Sequence, residues 1–501
     1  RIGDNHRTSA LVYYYLSDQK KASDGTNNLN SIPIRYQGVS SRLTYGYKDT
    51  YMVDVNFGYT GSENFQPGKQ YGFFPSVAGG WVPSNYDFVK KNLSWISLLK
   101  FRGSYGTVGN DRISNNQRFP YLTVVNSYYV SPWGSSAINE AVNEGVIGAD
   151  NLQWEKAIKA NIGMELNLFN DKLSFIMDVF NDQRNGIFMQ RVQVPGYAGL
   201  VTMPYGNVGR MKSLGADGSG SFKQELNKNM SFTLRGNFTY SKNNVQNWEE
   251  ANPKYPYQEI SGYPYGSIRG YQSVGLFKDW DDVNNSPAQF GKVMPGDIKY
   301  RDINGDGNIS VDDEVPLTHS TYPLLMYGFG GEINYKKFTL GVLFKGTGKT
   351  DFFYSGRGIG TGYVPFFNGV NGNVISMAND PRNRWIPMDF ALANGIDPSL
   401  AENPNARFPR LTYGNNANNS QRSDFWQGDA RYLRLQEVNL NYNLRAGFLQ
   451  RLKISSIDLQ FVANNLYLWD KVKLFDPELA YRNGEVYPIP ASYIMQIYIH
   501  L

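Results

Sequence analysis

The stretch Ser231-Phe-Thr-Leu-Arg-Gly-Asn-Phe-Thr-Tyr240 sets Phe232, Leu234, Phe238 and Tyr240 on one parity and Ser231, Thr233, Arg235, Asn237 and Thr239 on the other. Successive side chains of a β-strand point to opposite faces, so this segment has one apolar and one wet face. The pattern repeats outward in both directions. Ile162, Met164, Leu166 and Leu168 oppose Asn161, Glu165 and Asn167, and Tyr51, Val53, Val55, Phe57 and Tyr59 oppose Asp54 and Asn56. Near the end, Ile457, Leu459, Phe461 and Ala463 oppose Asp458, Gln460 and Asn464, and the last segment alternates from Tyr493 through Ile497 to Leu501. Alternation alone also fits a soluble β-sandwich.

Composition and connections separate the two. The chain holds 36 Tyr, 29 Phe and 9 Trp, 15% of its 501 residues, beside 51 Gly. So many aromatics need a large apolar environment. No run approaches the ~18–20 apolar residues of a membrane helix, whereas a barrel strand crosses with ~9–11 residues that are apolar on one face only. Fourteen strands are expected, starting near Arg7, Ile34, Tyr51, Gly72, Leu98, Gln153, Lys172, Tyr205, Met230, Pro323, Phe338, Tyr432, Ile454 and Tyr493. Links after even-numbered strands are mostly tight (48–50, 170–171, 226–229, 336–337, 445–452), and a longer one at 83–97 has room for a helical turn. Links after odd-numbered strands are long, and two are very large, at about 242–322 and 347–430. A sandwich has no reason to sort loop length by strand parity; an outer-membrane barrel does, with tight turns periplasmic and long loops outside. Tyr and Trp near strand ends (Tyr13–Tyr15, Tyr45, Tyr47, Trp81, Tyr240, Tyr335, Tyr442, Trp469) suit interfacial girdles. The fold expected is therefore all-β: a transmembrane antiparallel barrel.

Several functions are disfavoured by residue supply. With no cysteine, disulfides, thiolate metal sites and cysteine nucleophiles are out, and His6, His319 and His500 are too few for a His-rich zinc site. The +5 net charge, from 49 Lys+Arg and 44 Asp+Glu, is spread without a basic block, which argues against nucleic acid. No G-x-S-x-G elbow or acid–base carboxylate pair is evident, so no enzyme is expected. Gly346-Thr-Gly-Lys-Thr350 fails as a phosphate loop, because Leu343 stands where its first glycine belongs. The chain opens at Arg1 with neither initiator Met nor signal peptide, so a processed, cleaved or partial chain is expected.

From about Gly72 to its end the sequence resembles the SusC-like TonB-dependent transporters of Bacteroidetes outer membranes. The resemblance rests on ordered blocks: Gly72-Phe-Phe-Pro-Ser-Val-Ala-Gly-Gly-Trp81, Leu99-Lys-Phe-Arg-Gly-Ser-Tyr-Gly106 with Gly109-Asn110, Leu152-Gln-Trp-Glu155, Asn161-Ile-Gly163 and Asn207-Val-Gly209 with Gly215. It continues with Gly296-Asp-Ile-Lys-Tyr-Arg-Asp-Ile-Asn-Gly-Asp-Gly307, Phe425-Trp426, Tyr432-Leu-Arg-Leu435, Asn464-Asn-Leu466 and Asp476-Pro-Glu478. Such transporters are about twice as long, with a TonB box, a plug domain and about 22 strands. The resemblance thus implies that residues 1–501 are the C-terminal part of the barrel, lacking the plug and eight strands. Departures are the terminal His500-Leu501, where the family ends in an aromatic residue, and Gly215-Ala216-Asp217, which lacks the Glu that usually follows this glycine.

One segment carries readable metal chemistry. Asp302-Ile-Asn-Gly-Asp-Gly-Asn-Ile-Ser-Val-Asp-Asp313 fits a twelve-residue calcium loop, with oxygen donors at positions 1, 3 and 5 (Asp302, Asn304, Asp306) and Gly307 at 6. Asn308 at 7 would offer its carbonyl, Ser310 at 9 could act through water, and Asp313 at 12 would close the loop with a carboxylate shorter than the usual Glu. A structural Ca²⁺ stiffening an extracellular loop is expected, with a solvated acidic turn as the alternative.

The expected function is nutrient import across the outer membrane. The resemblance implies energisation by TonB through the plug and a SusD-like surface lipoprotein as lid, with oligosaccharides or peptides as ligand. Loop aromatics (Tyr255, Tyr257, Tyr263, Tyr265, Phe352, Phe353, Tyr363, Phe366, Phe367, Trp385) would stack on ligand or, for most, bury against the lid. Alternatives are a complete passive fourteen-stranded channel and a barrel that scaffolds a larger outer-membrane assembly.

Overall fold

A computed structural model of the chain describes residues 5–20, 32–112, 118–130, 139–145, 147–149, 151–200, 202–317, 321–354, 376–412, 416–482 and 486–501. Fourteen strands join one sheet in sequence order. They are β1 His6–Gln19, β2 Ile34–Tyr47, β3 Tyr51–Ser62, β4 Tyr71–Trp81, β5 Ile96–Asn110, β6 Glu155–Leu168, β7 Leu173–Gln190, β8 Tyr205–Asn227, β9 Met230–Asn247, β10 Leu325–Tyr335, β11 Phe338–Thr347, β12 Tyr432–Leu444, β13 Ser456–Asp470 and β14 Ser492–His500. Each begins within two residues of its expected start. The sheet does not close on itself: β1 and β14 each have a neighbour on one side only.

By contacts the chain divides into two units, one built mainly from residues 1–252 and 327–339, the other from 263–326 and 340–501. In the first unit the register sorts chemistry by face. Lys100 pairs across with Glu165 and Phe101 with Met164, while Asp178 lies opposite Gly163 and Val179 opposite Ile162. Phe101, Met177, Val179 and Ile162 therefore share a face, and all are exposed. The opposite face carries an ion network in which Arg102 meets Asp178 at 2.6 Å and Glu165 at 3.2 Å, and Lys100 meets Glu165 at 3.0 Å. A Cβ at Gly163 would sit 2.5 Å from the Asp178 carboxylate and 3.0 Å from Arg102 Nε, so a larger residue there would displace these side chains. Water would penalise so much exposed hydrocarbon in one contiguous face, whereas lipid accepts it once the backbone is paired in a ladder. No helix among the described residues is long and apolar enough to cross a membrane.

Turn chemistry follows loop length. Lys48 and Asp49 adopt φ of 51° and 50° to close β2 onto β3, and Phe169, Asn170 and Asp171 do the same between β6 and β7. The expected helical turn in the 83–97 link is the helix Asp87–Asn92. This link and the one joining β12 to β13 are both longer than the one joining β3 to β4, so the sorting of loop lengths has two exceptions. The first large loop starts later than expected: β9 runs on to Asn247, beyond the alternating segment that ends at Tyr240. Past the hydrocarbon a strand no longer has to alternate, and Lys242, Asn243 and Asn244 keep pairing with β8 without showing it.

The second unit contains β11–β14 and most of both large loops. Here Leu440, Phe461 and Met495 align across three strands on one face, and Asn441, Gln460 and Gln496 on the other. Two of the sequence blocks quoted above meet: Arg434, almost fully buried, pairs with Asp476 at 2.6 Å and Glu478 at 2.9 Å.

Candidate functional site

The two large loops fold together. Between β9 and β10, the short strand Ser273–Leu276 pairs with Ile298–Tyr300, and Arg269–Gly270 with Val315–Pro316. Between β11 and β12, Asp351–Phe353 pairs with Gln427–Asp429. One core joins them: Tyr271, Leu276, Ile298, Tyr300 and Ile309 from the first loop pack with Phe353, Trp385, Phe408 and Trp426 from the second.

The Gly296–Gly307 block is the centre of this loop body. Gly296 has φ +87°, and an added Cβ would lie 2.3 Å from the Trp385 ring. Asp297 next to it is fully buried. Its Oδ1 accepts from Asn419 Nδ2 at 2.8 Å and Asn416 Nδ2 at 3.0 Å and lies in ion-pair contact with Arg410 Nε at 2.8 Å, and its Oδ2 accepts from Arg410 Nη2 at 3.1 Å and the Met294 amide at 3.0 Å. Such a charge is tolerable inside a protein only when its lone pairs are filled in this way. Asn418 and Asn419 then act as a surrogate strand beside Ile298: the Ile298 amide donates to Asn419 Oδ1 at 2.9 Å, and Asn418 Nδ2 donates to the Ile298 carbonyl at 2.6 Å. Trp426 Nε1 and Tyr300 Oη donate to the Asn419 and Asn418 carbonyls at 2.9 and 2.8 Å, and burial pushes the Tyr300 hydroxyl pKa far up.

The candidate calcium loop leaves this core after Tyr300. Asp302 accepts from the Gly305 and Gly307 amides at 2.6 and 2.8 Å, Asn304 from the Asp306 amide at 2.9 Å, and Asp306 from the Asn308 amide at 2.9 Å. Gly305 and Gly307 stand at φ +77° and +82°, which sidechain-bearing residues rarely adopt. Ile309 anchors the loop in the core, with its amide on the Ala288 carbonyl at 2.8 Å. Asp306 and Asn308 are exposed and Asp302 and Asn304 half-buried, so four of the five expected ligand residues keep access to solvent. Asp313 is fully buried and accepts from the Ile303, Asn304 and Ser310 amides at 2.8, 3.3 and 2.8 Å. Among the described residues no group of three or more His, Asp or Glu side chains converges as a metal site.

Several of the loop aromatics serve the body itself. Phe353 and Trp385 are in its core, Phe352 packs in a neighbouring cluster with Val472, and Tyr255 stacks on Tyr257 at 5.2 Å. Tyr363, Phe366 and Phe367 lie outside the described residues. Asp297, Arg410 and Asn416–Asn419 carry most of the polar tie yet do not stand out in the sequence; the glycine-led Gly296-Asp297 block is the one signal that pointed toward them.

A one-sided apolar sheet with a folded body in its long loops defines a transmembrane β-barrel protein of the outer-membrane kind. The chain belongs to the family described as TonB dependent receptor-like, beta-barrel, which matches residues 2–342. It is 25% identical over 458 residues to TonB-dependent receptor P3 of Formosa agariphila, covering 89% of this chain and 42% of that protein. It is 23% identical over 461 residues to TonB-dependent receptor SusC of Bacteroides thetaiotaomicron, covering 87% of this chain and 41% of that one. Among solved structures it superposes on a chain of the RagAB peptide importer in its open-open state with a TM-score of 0.74 at 22% identity, covering 100% of this chain and 53% of that chain. The chain thus spans less than half the length of these two curated relatives, and it is placed in the outer membrane by its family.

Proposed function

We propose that the whole protein to which this chain contributes is a TonB-dependent importer of oligosaccharides or peptides, working with a SusD-like surface lipoprotein that caps the long-loop side. The observation that carries this reading is the folded loop body. Two loops of about 80 residues with a shared core are far more than a pore rim needs, and a body of that size offers a firm surface for a lid. Relatives named as TonB-dependent receptors, and a structural neighbour titled a peptide importer, support the same reading. Uptake of a labelled malto-oligosaccharide and a labelled peptide by cells, with and without a protonophore, tests it. Import that stops with the protonophore is expected. Continued flux means a passive channel, and no flux at all means a scaffolding barrel.

In this arrangement the long loops are extracellular and the tight turns periplasmic. The chain has no cysteine, so Asp306→Cys supplies a unique thiol within it. An impermeant maleimide should label it on intact cells, and labelling only after lysis would reverse the orientation. A structural Ca²⁺ would be held by the Asp302, Asn304 and Asp306 side chains and the Asn308 carbonyl and would supply charge balance to this acidic loop; the hydrogen bonds of those side chains to the loop's own amides support the reading. Asp313 would support the loop from behind through its three amides rather than coordinate. Chelation, or Asp302→Ala with Asp306→Ala, should then raise protease sensitivity at 302–313. Equal sensitivity with and without the ion would leave a solvated turn.

A further inference from the structure

The loop body contains a cleft that none of the roles above uses. It has a volume of about 590 Å³ and is walled by Trp280, Met294, Trp385, Pro387, Phe390 and Leu411. This falls in the size range of ligand pockets. Trp280 is 56% exposed, a large aromatic surface left open at its edge. The cleft's polar groups are unevenly matched. Asp279, Asp389 and Glu402 line its rim and keep their charge, each accepting one backbone amide: Asp282 at 2.8 Å, Phe390 at 2.8 Å and Met388 at 3.3 Å. Arg410 is held by Asp297.

Arg384 is the exception. It is buried, its Nη1 donates to the carbonyls of Ala378 at 3.2 Å and Asn379 at 2.6 Å, and its guanidinium carbon lies 5.9 Å from the centre of the Phe390 ring. No carboxylate is within ion-pair distance of it among the described residues, and Asp380, whose charge reaches it, is bound by Arg382. The Trp385 indole N–H is likewise buried without an acceptor among the described residues. Lys278 stands exposed on the same cleft. Apolar walls thus surround a buried guanidinium with no carboxylate at ion-pair distance and a buried indole N–H with no acceptor among the described residues. No Ser, Thr, Asn, Gln or Tyr lines the cleft, but its carboxylates and cations can also meet sugar hydroxyls, so maltotriose is the competing ligand of the test.

We propose that this cleft binds a peptide-class ligand, an apolar or aromatic residue whose free carboxylate reaches Arg384. The inference deepens the import reading by naming the ligand class captured at the loop body. It is tested by binding in detergent, which needs no energy source, so its failure and a failure of energised import are told apart.

The probe is N-acetyl-Leu-Phe as the free acid, compared with its C-terminal amide and with maltotriose, titrated against the full-length protein and read by tryptophan fluorescence and calorimetry. The acid should bind about 10-fold or more tightly than the amide, as expected for one charge-assisted contact. Arg384→Gln should erase that preference, whereas Arg384→Lys should keep part of it. Trp280→Ala with Phe390→Ala should weaken both peptides, with an unchanged proteolytic pattern showing the body intact. Equal affinity of wild-type protein for acid and amide overturns the proposal irrespective of how any variant folds. So does peptide binding untouched by Trp280→Ala with Phe390→Ala, or maltotriose displacing the peptide.

Discussion

The sheet of the first unit and the loop body of the second use the same residue types under opposite rules. In the sheet, Phe57, Phe73, Tyr105 and Ile162 stand exposed, Ile162 at 72%. In the loop body, Ile298, Tyr300, Phe408 and Trp426 are buried, Trp426 at 1%. Charges divide the same way. Arg102 and Glu165 are partly exposed on one face of the sheet, while Asp297 is sealed inside with four hydrogen bonds and an ion-pair contact to Arg410 Nε. One part of the chain is therefore fitted to lipid and the other is a small water-soluble domain made of loops. Average composition describes neither.

The comparison breaks most sharply at Asp297. Asp297→Ala strands Arg410 and two amides in a core, and removing one partner of a buried pair costs about 3–5 kcal/mol. The loop body should become protease-sensitive across residues 263–322 while the strands remain resistant; a protected body would mean that the carboxylate does not hold it. At Ile162 the two environments predict opposite signs. On a water-facing surface Ile162→Lys is neutral, whereas at mid-depth in lipid it costs about 2–4 kcal/mol. Denaturant titration of the protein refolded into vesicles decides this, with Asn161→Lys on the polar parity as a control expected to shift stability little. An Ile162→Lys protein as stable as the parent would remove the lipid face. In the loop body again, Gly296→Ala combines a left-handed backbone with a Cβ pressed on Trp385, and about 1–3 kcal/mol of strain is expected. A fall in loop protection smaller than that of Asp297→Ala, read by hydrogen exchange at Ile298 and Tyr300, would rank the two.

The same contrast explains what could be read from the sequence. Alternation reports directly on a strand with two unlike faces, which is why all fourteen strands begin close to where they were expected. The loop body has no such signature. Its strands are short, as at Ile298–Tyr300, and what stabilises them lies far along the chain: Asp297 and Arg410 are 113 residues apart. Asn416, Asn418 and Asn419 give no signal of their own in the sequence, because a side-chain amide looks solvent-seeking until a backbone needs it. The candidate calcium loop lies between these cases. Its glycine and Asx spacing is local, and the structure shows positive φ at Gly305 and Gly307 with side-chain-to-amide contacts from Asp302, Asn304 and Asp306. The inward turn of Asp313 depends on amides at 303, 304 and 310 that close around it only once the loop is folded.

The smallest effect expected is a pH response confined to the loop body. Asp380 accepts from Arg382 Nε at 3.0 Å and from the Arg382 amide at 3.0 Å, and these contacts hold its carboxyl down at about 2, below its ordinary value of 3.8. A depressed folded pKa means that the folded state binds its proton less readily than the unfolded chain does. The stabilisation is therefore complete above the ordinary value, shrinks as pH falls from about 4 toward 2, and is gone below the folded value. Because the pair is solvent-exposed, salt screens it and the contribution is small. Asp380→Asn should remove that part of the acid dependence of loop protection while leaving neutral-pH protection nearly unchanged. The strands, with no such pair at this position, should show no difference between parent and variant in the same titration. A variant that altered strand stability across this window would mean that the loop body and the sheet unfold as one unit, and the contrast between them would then be one of surface chemistry alone.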